Sequence, residues 1–535
     1  MSRLIATCIL LAFIASGCSQ RTPSGSGSTA NSRGVSFRLV AGSENKAIEP
    51  LVKQYARTQG VDVDVSYLGS VDISRELEKG LSTEFDAVWP AASIWIALGD
   101  NQNVAKLSKS ICRSPVVFGV KRSFAERLGW PGKDVTVAEI LAATKQEHLR
   151  LAMTSATQSN SGASFYLGCL SAFSGQPEVL TSDLLADDQV RMQIRDFLGT
   201  VNRSAGSSGW LKEMVVERYN RFDAMINYEF MVIEANQQFE AAGKEPYYVV
   251  YPVVGLTIAD SPLAYIDRGD SAKEAFFKGL QDYLLSADSQ QQLARMGRRT
   301  GILGGALTSN SDSFKPEWGI DPNRVLSPIR MPTGDTIREA LNLYQVVFRK
   351  PSLTAYVVDY SGSMEGAGES QLKEAMFTLL DQDESSRYLL QASSQDVTLV
   401  LPFNERLIAT WRVDGNDPAK LRELLAQIEQ QPAGGGTQMY SAVADALRDV
   451  AELESTGKYH TAIILMSDGV SDGSLSDFQQ VMSQEKLSRD VPIFTILFGR
   501  ADPSQMEPLA TSTGGRMFDG RKDVIKAFRE AKGYN

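Results

Sequence analysis

The strongest constraint on this 535-residue chain lies near its end, where two apolar runs each stop at an acidic, hydroxyl-bearing turn. Leu353–Val358 ends in Asp359-Tyr360-Ser361-Gly362-Ser363-Met364. Ala462–Met466 ends in Ser467-Asp468-Gly469. Between them, Gly434-Gly435-Gly436-Thr437 leads into a helical pattern from Tyr440. Apolar runs of this kind suit buried central strands of a parallel sheet. Open α/β sheets bind ligands in the loops at one set of strand ends. The pattern predicts a doubly wound sheet over 351–535. Thr398–Pro402 and Ile408–Val413 read as a hairpin-like strand pair, Asp417–Gln430 as an amphipathic helix, Ile493–Phe498 as a strand and Val524–Lys532 as a closing helix.

Taken one at a time, these turns are ordinary caps and loops. Together and in this order, they resemble the metal-ion-dependent adhesion site of von Willebrand factor A (VWA) domains. The resemblance implies a Rossmann-like fold and one bound divalent ion. Ser361, Ser363 and Thr437 would ligate directly, and Asp359 and Asp468 largely through water. Such a hard-oxygen set suits Mg²⁺ and tolerates Mn²⁺ or Ca²⁺. An open coordination position would accept a carboxylate from a protein partner. Asp472 is expected to be a loop residue, not a ligand.

Residues 35–331 alternate short β-rich runs with helical patterns, which indicates an α/β body. Predicted strands include Val35–Ala41, Val61–Tyr67, Phe85–Trp89, Pro115–Val120, Leu149–Met153, Ala224–Asn227, Tyr247–Val254 and Leu263–Ile266. Several short runs resemble type II periplasmic solute-binding proteins: Ala41-Gly42-Ser43-Glu44, Leu68-Gly69-Ser70, Trp89-Pro90-Ala91-Ala92-Ser93 and Gln158–Ser164. That resemblance implies two α/β lobes around a ligand cleft. Candidate cleft residues are Gly42, Ser43, Glu44, Ser70, Ser93, Ser159, Asn160, Ser161 and Tyr228. Small hydroxyl residues at helix starts also serve as plain caps. As binding elements they would suit a small anionic or polyhydroxy solute. Residues 332–350 read as a helical connector, with an amphipathic helix over Asp335–Val347.

The first 18 residues carry a basic start, an apolar run from Leu4 to Ile14, and Ala15-Ser16-Gly17-Cys18. This is a secretory signal, and its end resembles the bacterial lipoprotein cleavage box, which implies acylation of Cys18. Residues 19–34, rich in Ser and Gly, are expected to form a flexible tether. These features place the protein in the cell envelope, at a periplasmic or extracellular face. If two membranes are present, Ser19 after the lipidated cysteine resembles an outer-membrane address. Cys112 and Cys169 are open either to pairing or to remaining free thiols.

The chain is 43% hydrophobic and carries a net charge of −10, with no basic run along it, so a nucleic-acid role is not expected. With only His148 and His460 present, histidine-based catalysis and metal binding are disfavoured. The function expected is a lipid-anchored binding protein: the N-terminal lobes recognise a small solute or a surface, and the VWA domain binds protein through its metal. The alternatives are the substrate receptor of an ABC transporter and, less favoured, a metal-dependent hydrolase.

Overall fold

The structure, a computed structural model, describes residues 36–300, 313–454, 457–468, 470–485, 487, 490–499 and 501–533. The predicted signal segment, Cys18 and the Ser/Gly tether lie outside the described residues.

The N-terminal strands are β1 (Ser36–Gly42), β2 (Asp62–Leu68), β3 (Ala87–Trp89), β4 (Ala105–Ser110), β5 (Ser114–Lys121), β6 (Leu151–Thr154), β7 (Val201–Ala205), β8 (Ala224–Tyr228), β9 (Tyr247–Val250), β10 (Thr257–Ala259) and β11 (Pro262–Ile266). They form two sheets. The first lobe has the order β2-β1-β3-β11-β4, and the second β10-β5-β8-β6-β7 with β9 also on β5. The chain passes between lobes from β4 to β5 and returns from β10 to β11. These two crossings are tied together, Ile111 N donating to Ser261 O at 3.1 Å. Such a pair of crossing strands lets two lobes share one cleft.

The helix Gly334–Leu343 begins at Thr333, whose hydroxyl accepts from Thr336 N at 3.3 Å. A wider turn over Tyr344–Phe348 continues it. Its apolar side, including Ile337, Ala340 and Leu341, packs with Phe165 and Tyr166 of the second lobe. Tyr166 Oη donates to Ala340 O at 2.8 Å. The expected structured connector is therefore fixed to one body.

The third sheet contains β12 (Ser352–Asp359), β13 (Val397–Phe403), β14 (Trp411–Asp414), β15 (His460–Ser467), β16 (Ile493–Leu497) and β17 (Met517–Asp519), in the order β14-β13-β12-β15-β16-β17. All neighbours are parallel except β14 on β13. The two apolar runs of the sequence are the adjacent central strands β12 and β15. Helices on both faces complete a doubly wound fold. One of them, Pro418–Gln430, is capped by Asp417 through Ala419 N at 2.9 Å.

This third body packs directly on the N-terminal lobes. Leu211, Met214 and Val215 of the second lobe share one buried cluster with Tyr356, Val358 and Phe494. The rings of Trp210 and Phe494 lie 6.5 Å apart. Arg221 pairs with Asp490 at 2.8 Å. The sequence patterns, being local, carried no sign of this contact.

Candidate functional site

Register places the polar turns together. β12 pairs with β15 so that Val358 faces Met466, which sets Asp359 beside Ser467. Ser467 Oγ donates to Asp359 Oδ2 at 2.5 Å, and Ser361 N donates to Asp359 Oδ1 at 2.7 Å. Ser361 Oγ and Ser363 Oγ are 3.1 Å apart, and Ser363 Oγ donates to Asp468 Oδ1 at 2.7 Å. Asp359 is fully buried; Ser361, Thr437 and Asp468 are buried, and Ser363 is exposed. Burial pushes the Asp359 carboxyl above its ordinary range, even though Ser467 and Ser361 oppose the shift.

Thr437 is brought to this edge by its glycine loop. Gly362 N donates to Gly435 O at 2.9 Å, and Gly434 N to Tyr360 O at 2.8 Å. Gly435 has φ +88°, and a Cβ there would fall 1.7 Å from Glu405 Oε2, so only glycine suits the position. All five residues expected at the metal thus come from three loops on one sheet edge. Asp472 lies beside the loop, its N–H donating to Thr437 O at 3.1 Å. Sequence reasoning missed two supports: Ser467, which orients Asp359, and Asn404, whose Nδ2 holds Gly434 O at 2.8 Å. Ser467 stood in plain view at the end of its apolar run. Asn404 carries no local signal.

Among the described residues, no group of three or more His, Cys, Asp or Glu gathers as a metal cluster. The donors here are mainly hydroxyls, with two carboxylates. That chemistry fits a hard divalent cation and not a thiophilic one.

A second concavity, about 430 Å³, lies between the N-terminal lobes. The first lobe contributes Ser43, Glu44, Tyr67 and Gly69; the second contributes Gln158, Ser207 and Trp210. Ser43 Oγ lies 2.8 Å from Ser207 Oγ, directly across the cleft. Arg516, Phe518 and Glu530 from the C-terminal body form a third wall. Glu44 is buried with no partner for Oε1, and burial pushes its carboxyl up to about 7.

The sequence-predicted cleft residues divide into two groups. Ser43 and Glu44 line the cavity, and Gly42 lies directly behind Glu44. The others sit in the framework behind the walls. Ser159 and Ser161 both bond to Ser208, at 2.9 and 2.7 Å. Asn160 joins Trp95 Nε1 at 2.7 Å to Tyr228 Oη at 3.0 Å. Ser70 Oγ accepts from Ala91 N at 3.1 Å, and Ser93 N donates to Asp260 at 2.7 Å. The facing helix start on the second lobe is the one at Ser207-Ser208, after β7. Its signal was the run Gly206-Ser207-Ser208-Gly209.

The family model for bacterial extracellular solute-binding proteins matches residues 38–299, and that for the von Willebrand factor type A domain matches residues 355–518. The chain therefore joins a bacterial solute-binding domain to a VWA domain. The VWA domain is similar to part of inter-alpha-trypsin inhibitor heavy chain H2. For the Homo sapiens protein the identity is 30% over 158 residues, covering 28% of this chain and 16% of the relative. For Mesocricetus auratus it is 28% over the same coverage. The chain thus spans only a small part of these relatives' length. Among solved structures, the sulfate-binding protein SubI from Mycobacterium tuberculosis is 20% identical, with TM-score 0.39, covering 57% of this chain and 96% of its own. The ferric binding protein from Campylobacter jejuni is 11% identical, with TM-score 0.41, covering 58% and 98%. Both cysteines of the solute-binding domain, Cys112 and Cys169, are buried free thiols. No helix among the described residues is long and apolar enough to cross a membrane.

Proposed function

We propose that this protein is a lipid-anchored binding protein of the cell envelope, with two recognition sites and no catalytic step. The observation that carries the reading is the interlobe cavity, walled on three sides by Ser43 and Glu44, by Ser207 and Trp210, and by Phe518 of the VWA domain. A concave site with an aromatic wall and a few convergent polar groups is the usual form of a small-molecule site. Five acids line it, Glu44, Asp72, Glu213, Glu234 and Glu530, against three bases, Lys46, Lys212 and Arg516. That balance disfavours an anion and favours a polyhydroxy solute, whose hydroxyls can donate to the lining carboxylates and accept from the serines.

At the other site, Ser361, Ser363 and Thr437 would hold Mg²⁺, with Asp359 and Asp468 behind them. The ion, when bound, supplies an electrophilic position for a partner's carboxylate. Asp359 is buried and oriented by Ser467, so the donor set is organised before any partner arrives.

The test is a titration of the mature chain with sugars, polyols, oxyanions and amino acids, followed by Trp210 fluorescence and calorimetry. A saturable response to one polyhydroxy class, lost in Trp210→Ala and weakened in Glu44→Gln, is the expected result. A panel that produces no saturable response would overturn the solute reading and leave the lobes as a scaffold.

A further inference from the structure

Five basic side chains from four separate stretches of the sequence gather where the connector and β15 meet the second lobe: Arg203, Arg349, Lys350, His460 and Lys532. A void of about 30 Å³ lies among Arg349, Lys350, His460 and Lys532; Ser155 and Thr157 also line it, their hydroxyls 3.1 Å apart, with Thr157 Oγ1 donating to Gln345 Oε1 at 3.5 Å. A smaller void of about 10 Å³ adjoins it and shares Arg349, Lys350 and His460. A wider cavity of about 300 Å³ reaches the same His460 from Arg203. None of these residues lines the interlobe cleft.

The acids nearby are already engaged. Asp396 accepts from Arg349 at 2.5 and 3.1 Å, from Ser352 N at 2.8 Å and from Ser393 N at 2.7 Å. Glu454 accepts from the backbone N–H groups of Gly457, Lys458 and Tyr459, at 2.5, 3.1 and 2.6 Å. Asp490 pairs with Arg221. Among the described residues, neither Lys350 nor Lys532 has a carboxylate within ion-pair distance; Lys532 Nζ reaches only Leu379 O, at 3.4 Å. Two half-buried ammonium groups thus line one small space with no carboxylate in direct contact, Glu454 and Asp396 acting on them only from farther off, in a chain whose net charge is −10.

Charge held away from water without a partner is costly. The protein can relieve that cost by shedding protons, and burial does push Lys532 down to about 8 and Arg203 to about 9. It can also take up an anion. Cations and hydroxyl donors that converge on a small void match the oxygens of a tetrahedral anion.

We infer that this interdomain void binds a small inorganic oxyanion of the sulfate or phosphate class, held by Lys350 and Lys532 with the hydroxyls of Ser155 and Thr157. It is a site separate from the solute cleft. Its walls come from the second lobe, the connector and the VWA domain, so the anion also ties the two domains together.

The test uses the mature chain. Sodium sulfate and sodium phosphate are titrated against sodium chloride at constant ionic strength, and binding is read by calorimetry and thermal unfolding. A saturable rise in Tm with one bound anion is expected in the wild type. Lys350→Met and Lys532→Met are expected to weaken that binding at least tenfold, and Lys350→Arg to retain it. In chloride, Lys350→Met should melt no lower than the wild type, because it removes an uncompensated cation. A sulfate response that is unsaturable, or equal in all three variants, reports general salting-out and overturns the inference. So does a Lys350→Met protein that loses its fold in chloride, since the lysine would then be structural.

Discussion

Arg529 Nη2 lies 2.8 Å from Asp72 Oδ1, joining the last helix of the VWA domain to the first solute-binding lobe across 457 positions of chain. The same guanidinium covers the Tyr388 ring at 3.9 Å, and Arg75 shares both Asp72, at 2.7 Å, and Tyr388, at 5.5 Å. Since the VWA domain also packs on the second lobe, this contact makes it a strap over both lobes. Arg529→Ala leaves Asp72 with Arg75 alone. Removing one partner of a partly buried charged pair costs about 1–3 kcal/mol. The expected outcome is earlier exchange of backbone amides in the Ser70–Glu78 helix, with exchange in the β12–β15 core unchanged. Equal protection of that helix in both proteins would show that the strap does not hold the first lobe.

The hydroxyl-rich loop edge makes a separate prediction about metal. Mg²⁺ added to the protein should raise the melting temperature, and EDTA should reverse the rise. An ion present at 100 times its dissociation constant adds about 2.7 kcal/mol. Ser361→Ala removes one of the three hydroxyl donors without disturbing β12, so it should melt near the metal-free wild type and respond weakly to Mg²⁺. Mn²⁺ should substitute for Mg²⁺. Differential scanning calorimetry with and without ion checks both statements; an undiminished Mg²⁺ shift in Ser361→Ala would take that hydroxyl out of the site.

The loop edge was legible from sequence because each part sits immediately after a local signal. An apolar run fixes a strand, and the polar turn must follow at its end. The solute cleft was less legible for a physical reason. Gln158–Ser164 and Gly206–Gly209 are both small, hydroxyl-rich runs entering helices. Which of them faces the other lobe depends on sheet order. β6 lies between β8 and β7, so the turn after it is enclosed, while β7 is an edge strand whose turn reaches Ser43. Order among strands is a long-range property that no single run carries. β4 was missed as well: Ala-Lys-Leu-Ser-Lys-Ser is mostly polar, as suits an edge strand protected by lysines. β10 and β17 have only three residues each, too few to show a period. The five basic residues at and beside the interdomain void come from four separate elements or turns, with Arg349 and Lys350 adjacent in one of them, and no charge run announces them.

Gly69 controls how closely the lobes approach. A Cβ at this position would fall 2.2 Å from Gln158 O, a backbone atom on the opposite lobe that cannot swing aside. Gly69→Ala therefore cannot close the cleft as far as the present structure does. The Ser43–Ser207 contact should break with it. Small-angle scattering should report a larger radius of gyration for the variant, and affinity for any cleft solute should fall at least tenfold. Unchanged scattering and affinity would mean that the backbone at Gln158 yields, and that the approach of the lobes is not set at this point.

Asp223 supplies a pH dependence whose sign can be worked out. Its carboxylate is 7% exposed and receives Lys121 at 2.9 Å and Arg150 at 2.7 Å. Burial alone would raise its pKa, but the bonds from Arg150 and Lys121 outweigh burial and bring it down to about 2 from an ordinary 3.8. A group whose folded pKa is depressed contributes stability that is fully present above its unfolded pKa and lost as pH falls through the folded value. The window is therefore roughly pH 4 down to 2, and the contribution above it is about 2 kcal/mol. Asp223→Asn removes the charge at every pH and leaves Lys121 and Arg150 without their shared acid. Its stability deficit against wild type should be largest at neutral pH and should narrow on acidification through that window. Urea unfolding of both proteins between pH 7 and pH 2 measures the difference directly. A deficit that stays constant across the window would place the loss in packing and not in ionisation.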